Sequence, residues 1–274
     1  MKSTSKKISK EYSKAIKENK NIVSATGGAK FADYSTHELD SLPKGVADSS
    51  FGCGNPLASS SVKEGDIVLD LGCGTGLDLL LAAEKVGPKG KVIGVDMNED
   101  MLKKAKENID VSEYRNIELR KGMIESLPIE SGSIDWVISN CVINLSSDKE
   151  QAFKEIARVL KPNGQIHISD IVSENMPWWV KKSGVLTAAC AGATISENHY
   201  LLGLKNVGMT DCSVIERQHY EPSQLASAVV DLLPTFLTKI TCCGKGLIES
   251  LLIKVASPIA KNLWSAKFSG KLSI

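Results

Sequence analysis

The chain has 274 residues, 42% hydrophobic and 24% charged, enough to bury a real core of roughly 100–200 residues with additions and outside the range of disordered or minimal stapled scaffolds. Lys+Arg 33 against Asp+Glu 32 leaves a formal charge of +1, so no net field gathers phosphate polyanions, and nucleic acid is not an expected partner. Seven cysteines with no C-x-x-C pair and no histidine at a zinc-ligand spacing exclude a zinc ribbon or finger and read as thiols of a reducing compartment.

The basic N-terminus runs into charged and polar residues rather than the apolar core of a signal peptide. No stretch reaches the roughly 18 uncharged apolar residues that a membrane helix needs, so a cytoplasmic protein without stable membrane insertion is expected. Residues 1–61 open with a Lys/Glu-rich helical pattern over 9–20. They continue as a polar Gly/Ser/Asp stretch to Phe51-Gly52-Cys53-Gly54-Asn55-Pro56, and read as a lid or wrapping segment. Residues 67–71, a short apolar run, predict a buried strand. A glycine loop and a helix over 78–86 follow, stopped by Gly87-Pro88. Strands are then expected at 91–96, 117–120, 135–139 and 165–169. Helices are expected at 98–108, capped by Asn98, and at 147–160, ending at Lys161-Pro162-Asn163-Gly164. Strict alternation of strand and helix means an α/β fold with a doubly wound, mostly parallel sheet, whose ligands bind beyond the C-terminal strand ends. Past residue 172 the pattern predicts a helix at 197–206, a strand at 211–217 and a closing edge strand at 264–272. Residues 218–262 mix apolar helix with a Cys242-Cys243-Gly244 turn, and the stripe over 247–259 suits core, a partner surface or a weak membrane contact. The expected division is 1–61 lid, 62–172 ligand-binding domain and 173–274 substrate-site and accessory region.

Asp70-Leu71-Gly72-Cys73-Gly74-Thr75-Gly76 joins a strand to a helix, where glycines let the backbone approach a ligand closely. Asp96 ends the next strand, 20 residues after Gly76, where a carboxylate can accept both hydroxyls of a ribose. The third glycine of a dinucleotide fingerprint is replaced by Leu77, so the loop suits a nucleoside without a pyrophosphate.

Asp70 to Gly76, Asp96, Gly122-Met123-Ile124-Glu125 and Arg158-Val159-Leu160-Lys161-Pro162-Asn163-Gly164 resemble successive motifs of class I S-adenosylmethionine-dependent methyltransferases, over roughly residues 62–172. The resemblance implies a Rossmann-like fold with S-adenosylmethionine as cofactor. Gly72, Gly74 and Gly76 would face its methionine part, Asp96 the ribose, and Ile124 with Glu125 the adenine. Asp70, Met97 and Asn140 complete the implied cofactor set, and Met123 stands where many members carry an acidic residue.

Cysteines near the expected acceptor site, where histidines or carboxylates would be commoner, point to a soft electrophile or metalloid. Gly52-Cys53-Gly54-Asn55-Pro56 and Ser139-Asn140-Cys141-Val142-Ile143-Asn144-Leu145, with Cys190 in a small-residue run, are similar to the arsenite methyltransferase family from about Lys44 to about Arg217. By that likeness Cys53, Cys141 and Cys190 are the catalytic ligands of trivalent arsenic, and thioredoxin or a similar thiol reductant resupplies electrons. Unlike many members, this chain has no cysteine before Cys53. Reduction would then use Cys53 with another thiol or an external reductant, or fewer methyl groups would be added. Methylation of a small quinone- or sterol-like acceptor, and arsenite binding without turnover, are the alternatives. Cys73 and Cys212 read as buried small hydrophobes, Cys242 and Cys243 as packing or accessory thiols. His37, His167, His199 and His219 read as packed or solvated, and Trp178 and Trp179 as lid or core packing.

Overall fold

The structure is a computed structural model and describes residues 8–10, 12–14, 16, 34–43, 45–47, 52, 54–176, 193–223, 253, 256–257 and 259–273. In chain order the elements are α1 (Thr36–Asp40), β1 (Ile67–Leu71), α2 (Leu77–Val86), β2 (Lys91–Asp96), α3 (Glu99–Asp110), β3 (Ile117–Lys121) and β4 (Ile134–Asn140). They continue with α4 (Lys149–Val159), β5 (Leu160–Ser173), α5 (Glu197–Asn206), β6 (Met209–His219) and β7 (Leu263–Leu272). One seven-stranded sheet results, in the order β3-β2-β1-β4-β5-β7-β6. The strands from β3 to β5 pair in parallel, and β7 runs antiparallel to both its neighbours. The doubly wound, mostly parallel Rossmann-like sheet read from the sequence is the fold observed.

Helices on both faces explain why β1 is apolar throughout. Leu69 and Leu71 pack into the core holding Val137, Phe153 and Phe268, while Val68, the residue before Leu69, packs into the opposite core with Leu79, Leu80 and Trp136. α2 is buried on nearly every side because Tyr34, Val46 and Leu57 of the N-terminal segment cover it. α3 and α4 bury one stripe each; Asn98 caps α3 by accepting from Asp100 and Met101 N–H, and Asp148 caps α4 by accepting from Gln151 N–H. The described residues of the expected first helix, 8–10, 12–14 and 16, are helical.

Three expectations change. Strand and helix do not alternate strictly: residues 122–133 between β3 and β4 hold turns. Arg158 orders this stretch by donating to the Leu127 and Ile129 carbonyls, and Glu155 accepts the Leu127 N–H. β5 begins at Leu160, not 165, because Asn163 takes a left-handed conformation (φ 66°) that Asn tolerates, and the ladder resumes after a register shift. β7 is an interior strand: it pairs with β5 from Gln165 to Ser173, and β6 forms the edge beyond it. Among the described residues no helix is long and apolar enough to cross a membrane. Of the 247–259 stripe, Ala256 is buried and Ile259 packs against the cluster of Cys141, Ile171 and Met176. Trp178, Trp179, Cys242 and Cys243 lie outside the described residues.

Candidate active site

Parallel pairing brings the C-terminal ends of β1, β2 and β4 to one edge of the sheet, and a cleft opens there. Asp70, Gly72, Gly74, Asp96 and Met97 line it from β1 and β2. Ile124 and Glu125 line it from the turn after β3, and Asn140 and Cys141 from the end of β4. Ile8, Ser9 and Tyr12 of the N-terminal helical segment also line the cleft, and Asn98 fastens that segment by donating to the Ser9 carbonyl at 2.8 Å. Gly76 is not part of the lining. It starts α2 with φ 90°, and a Cβ there would lie 3.4 Å from Ala105 Cβ, so its small size lets α2 and α3 approach. Cys53 and Cys190 lie outside the described residues.

The glycine loop is held by backbone bonds and one carboxylate. Gly72 and Cys73 N–H both donate to the Val95 carbonyl, at 2.7 and 3.1 Å. Asp96 accepts Gly74 N–H through one oxygen (3.0 Å) and Asn98 N–H through the other (2.8 Å). Each carboxylate oxygen can accept more than one donor, so these bonds aim Asp96 without exhausting it. Gly72 has φ 65°, and a Cβ there would collide with Val142 Cγ2, the side chain that follows Cys141. Glu125 accepts Ser146 Oγ at 2.6 Å, tying the far wall to the residues after Cys141.

Charge in the cleft is one-sided. Asp70, Asp78, Asp96 and Glu125 line it, and none of its described lining residues is Lys, Arg or His. Burial, then the neighbouring Asp78 and Asp96, pushes Asp70 well above the usual carboxylate range. Among the described residues nothing donates to the Asp70 carboxylate, so a cationic ligand group would relieve it. Burial also raises Asp78, to about 6, against donors from Tyr34 (2.7 Å) and Asn140 (3.1 Å). A ligand carrying positive charge suits this cleft, and a pyrophosphate does not.

Cys141 is buried and takes the left-handed conformation (φ 61°), uncommon outside glycine and associated with functional sites. Its N–H donates to the Ser169 carbonyl at 2.8 Å, and its sulfur is disulfide-bonded. The 3-10 turn Ile143–Leu145 behind it is anchored by Asp170, which accepts Asn144 N–H and Asn144 Nδ2. Burial pushes Asp170 up to about 7. Cys73 is a free thiol pushed well up by burial, then by Asp96 and Asp70; protonated, it is no thiolate ligand. Cys212 lies half-buried on β6, at the edge away from the cleft.

Sequence reading missed the scaffold under the Gly54-Asn55-Pro56 segment. Asn140 holds Gly54, Glu38 accepts Asn55 Nδ2 at 3.2 Å, and His167 Nδ1 lies 3.2 Å from the Pro56 carbonyl. His167 is packed edge-on against Trp136. Ser35-x-x-Glu38 is a capping box, the one signal here that the sequence carried.

A family model described as "Methyltransferase domain" matches residues 62–218. An arsenite methyltransferase from Halobacterium salinarum is 46% identical over 145 residues, which is 53% of this chain and 37% of that protein. A demethylmenaquinone methyltransferase from Listeria welshimeri is 37% identical over 118 residues, 43% of this chain and 50% of its own. The chain therefore spans half or less of the length of these curated relatives. The crystal structure of an arsenic(III) S-adenosylmethionine methyltransferase from Chlamydomonas reinhardtii superposes with a TM-score of 0.65 at 30% identity, covering 87% of this chain and 72% of that one. With its methyltransferase sheet, its acidic cleft and these likenesses, the chain belongs to the arsenite methyltransferase family of S-adenosylmethionine-dependent methyltransferases.

Proposed function

We propose that this chain transfers a methyl group from S-adenosylmethionine to trivalent arsenic held by the thiolates of Cys53, Cys141 and Cys190. The observation that carries this reading is the position of Cys141, in the wall of the acidic cleft beside the glycine loop. S-adenosylmethionine bound there supplies an electrophilic methyl group on a sulfonium. Asp70 and Asp78 would favour its positive charges, Asp96 would accept from the ribose hydroxyls, and Met97, Ile124 and Glu125 would border the base. Gly72 and Gly74 would leave room for the methionine part, Asn140 would border the methyl side, and Gly76 sets the start of α2 behind them.

Three thiolates displace the hydroxyls of arsenite and leave arsenic a directed lone pair. That pair would form the new arsenic–carbon bond as the carbon–sulfur bond of the donor broke, its electrons staying on sulfur. No proton leaves the acceptor, so no general base is required. Fixing the acceptor in line with the methyl carbon can supply on the order of 7–11 kcal/mol. Because the disulfide-bonded Cys141 must be a thiolate to bind arsenic, and because transfer raises arsenic to the pentavalent state, a thiol reductant such as thioredoxin acts with the enzyme. The reducing cytoplasm is the fitting location.

The test is to incubate the reduced protein with labelled S-adenosylmethionine and arsenite, and to separate arsenic species by chromatography with elemental detection. Methylated arsenic from the wild type, and none from Cys53→Ser, Cys141→Ser or Cys190→Ser, is expected. Confirmed cofactor binding with no methylated arsenic would end the arsenite reading and move the search to an organic acceptor, the activity named for the Listeria relative.

A further inference from the structure

We infer that Asn140 is a positioning residue for the arsenic site: its side-chain amide clamps the backbone of Gly54 to the end of β4, and so sets the spacing between the cysteine preceding Gly54 and the cysteine following Asn140. The inference rests on reading Cys53 and Cys141 as ligands.

The Asn140 amide oxygen accepts Gly54 N–H at 3.2 Å, and its amide nitrogen donates to the Gly54 carbonyl at 2.5 Å. This paired exchange is the one two antiparallel strands make, and it fixes rotation as well as position, where a single bond would leave a hinge. The amide nitrogen also lies 3.1 Å from both Tyr34 Oη and Asp78 Oδ2, and these two are bonded to each other at 2.7 Å. The clamp is therefore itself held from behind, by a partly buried network whose Tyr34–Asp78 bond is buried.

The glycines on either side of Cys53 point to the same design. A Cβ on Gly52 would collide with the Asn140 side chain, and a Cβ on Gly54 would come within 2.7 Å of Ser169 Cβ. Ser169 is also the residue whose carbonyl accepts the Cys141 N–H. Gly52 and Gly54 thus lie close against two residues that frame Cys141, one its chain neighbour and one its hydrogen-bond partner. Ligands of a small ion need placement within roughly 0.5 Å, and one peptide bond separates each cysteine from this clamp. Asn is specific for the task. Asp would keep the acceptor but lose the donor to the Gly54 carbonyl, and would set a second carboxylate against Asp78.

Asn140→Ala, Asn140→Asp and Gly52→Ala in the full reduced chain test this with two readouts, both taken without S-adenosylmethionine because Asn140 also lines the cofactor cleft. They are the affinity for arsenite by equilibrium dialysis, and the rate at which dibromobimane, a short thiol cross-linker, joins Cys53 to Cys141 as mapped by mass spectrometry. Asn140→Ala is expected to slow the cross-link and weaken arsenite binding by about 10–100-fold, the scale of a displacement near 1 Å. Asn140→Asp is expected to be no better than Ala. Gly52→Ala is expected to mimic it, yet to add nothing in the Asn140→Ala background, because the colliding side chain is gone there. An unchanged cross-linking rate in Asn140→Ala, or a wild type that does not cross-link, would overturn the inference. If the wild type methylates no arsenic while the cross-link still depends on Asn140, the clamp stands and the arsenite reading falls.

Discussion

Tyr34→Phe removes one hydroxyl that is buried against the cleft wall, and its cost depends on pH in a direction that follows from Asp78. The Tyr34 hydroxyl donates to Asp78 Oδ1 at 2.7 Å, with both residues buried. Burial raises Asp78 from 3.8 to about 6, so between these values the folded state holds a proton that the unfolded state has lost. Asp78's contribution to stability therefore falls as pH rises from about 4 to 6, and levels off once its folded carboxylate has ionised. A hydrogen bond to an ionised group is worth about 1.5–3 kcal/mol, and one between neutral groups about 0.5–1.5. The variant should lose about 1 kcal/mol at pH 5, where Asp78 is mostly protonated, and about 2–3 kcal/mol at pH 8. The pH-dependent decline should extend above 6, because the lost donor favoured the carboxylate. Urea unfolding of both proteins at the two pH values measures this difference. Equal losses at pH 5 and pH 8 would refute the assignment of a charged acceptor to Asp78.

Gly72→Ala forces a left-handed alanine and displaces Val142, for a combined cost of about 2–5 kcal/mol; calorimetry should find cofactor binding lost, and retained affinity would count against the tight loop. Asp96→Asn keeps one acceptor oxygen but turns an amide donor towards Gly74 or Asn98 N–H. Cofactor affinity should fall at least about 10-fold, on the 1–3 kcal/mol scale of an unsatisfied buried group, and a value within 2-fold of wild type would contradict it. Methyl transfer should require prior reduction of Cys141, so activity should be absent after oxidation and return with dithiothreitol.

The parallel half of the sheet was legible because its signals are local. An apolar run such as Ile67–Leu71 followed by a glycine loop, and Asn98 before an amphipathic helix, each announce themselves within a few residues. β7 was read as an edge because antiparallel pairing is decided at long range: Ala266 pairs with Asp170 on one side and Arg217 on the other, and no segment states that choice. The turns between β3 and β4 were missed for a like reason, since Arg158 orders them from a later helix. Within the cleft, Asp70, Gly72, Gly74, Asp96, Ile124 and Glu125 were legible as motif positions. Tyr34 and Glu38 were not, for they sit in a polar stretch and reach partners 106 and 17 residues away. Gly76, read as facing the ligand, sits instead at the α2–α3 contact; a glycine required by helix packing and one required by a ligand look alike in sequence.

The central claim is that arsenic is held by three sulfurs in the cofactor cleft, and X-ray absorption at the arsenic edge counts those sulfurs directly. For the reduced wild-type protein loaded with one equivalent of arsenite, the account predicts a shell of three sulfurs and no oxygen, falling to two sulfurs in Cys141→Ser. An oxygen-dominated shell in the wild type, or an unchanged three-sulfur shell in Cys141→Ser, would contradict it.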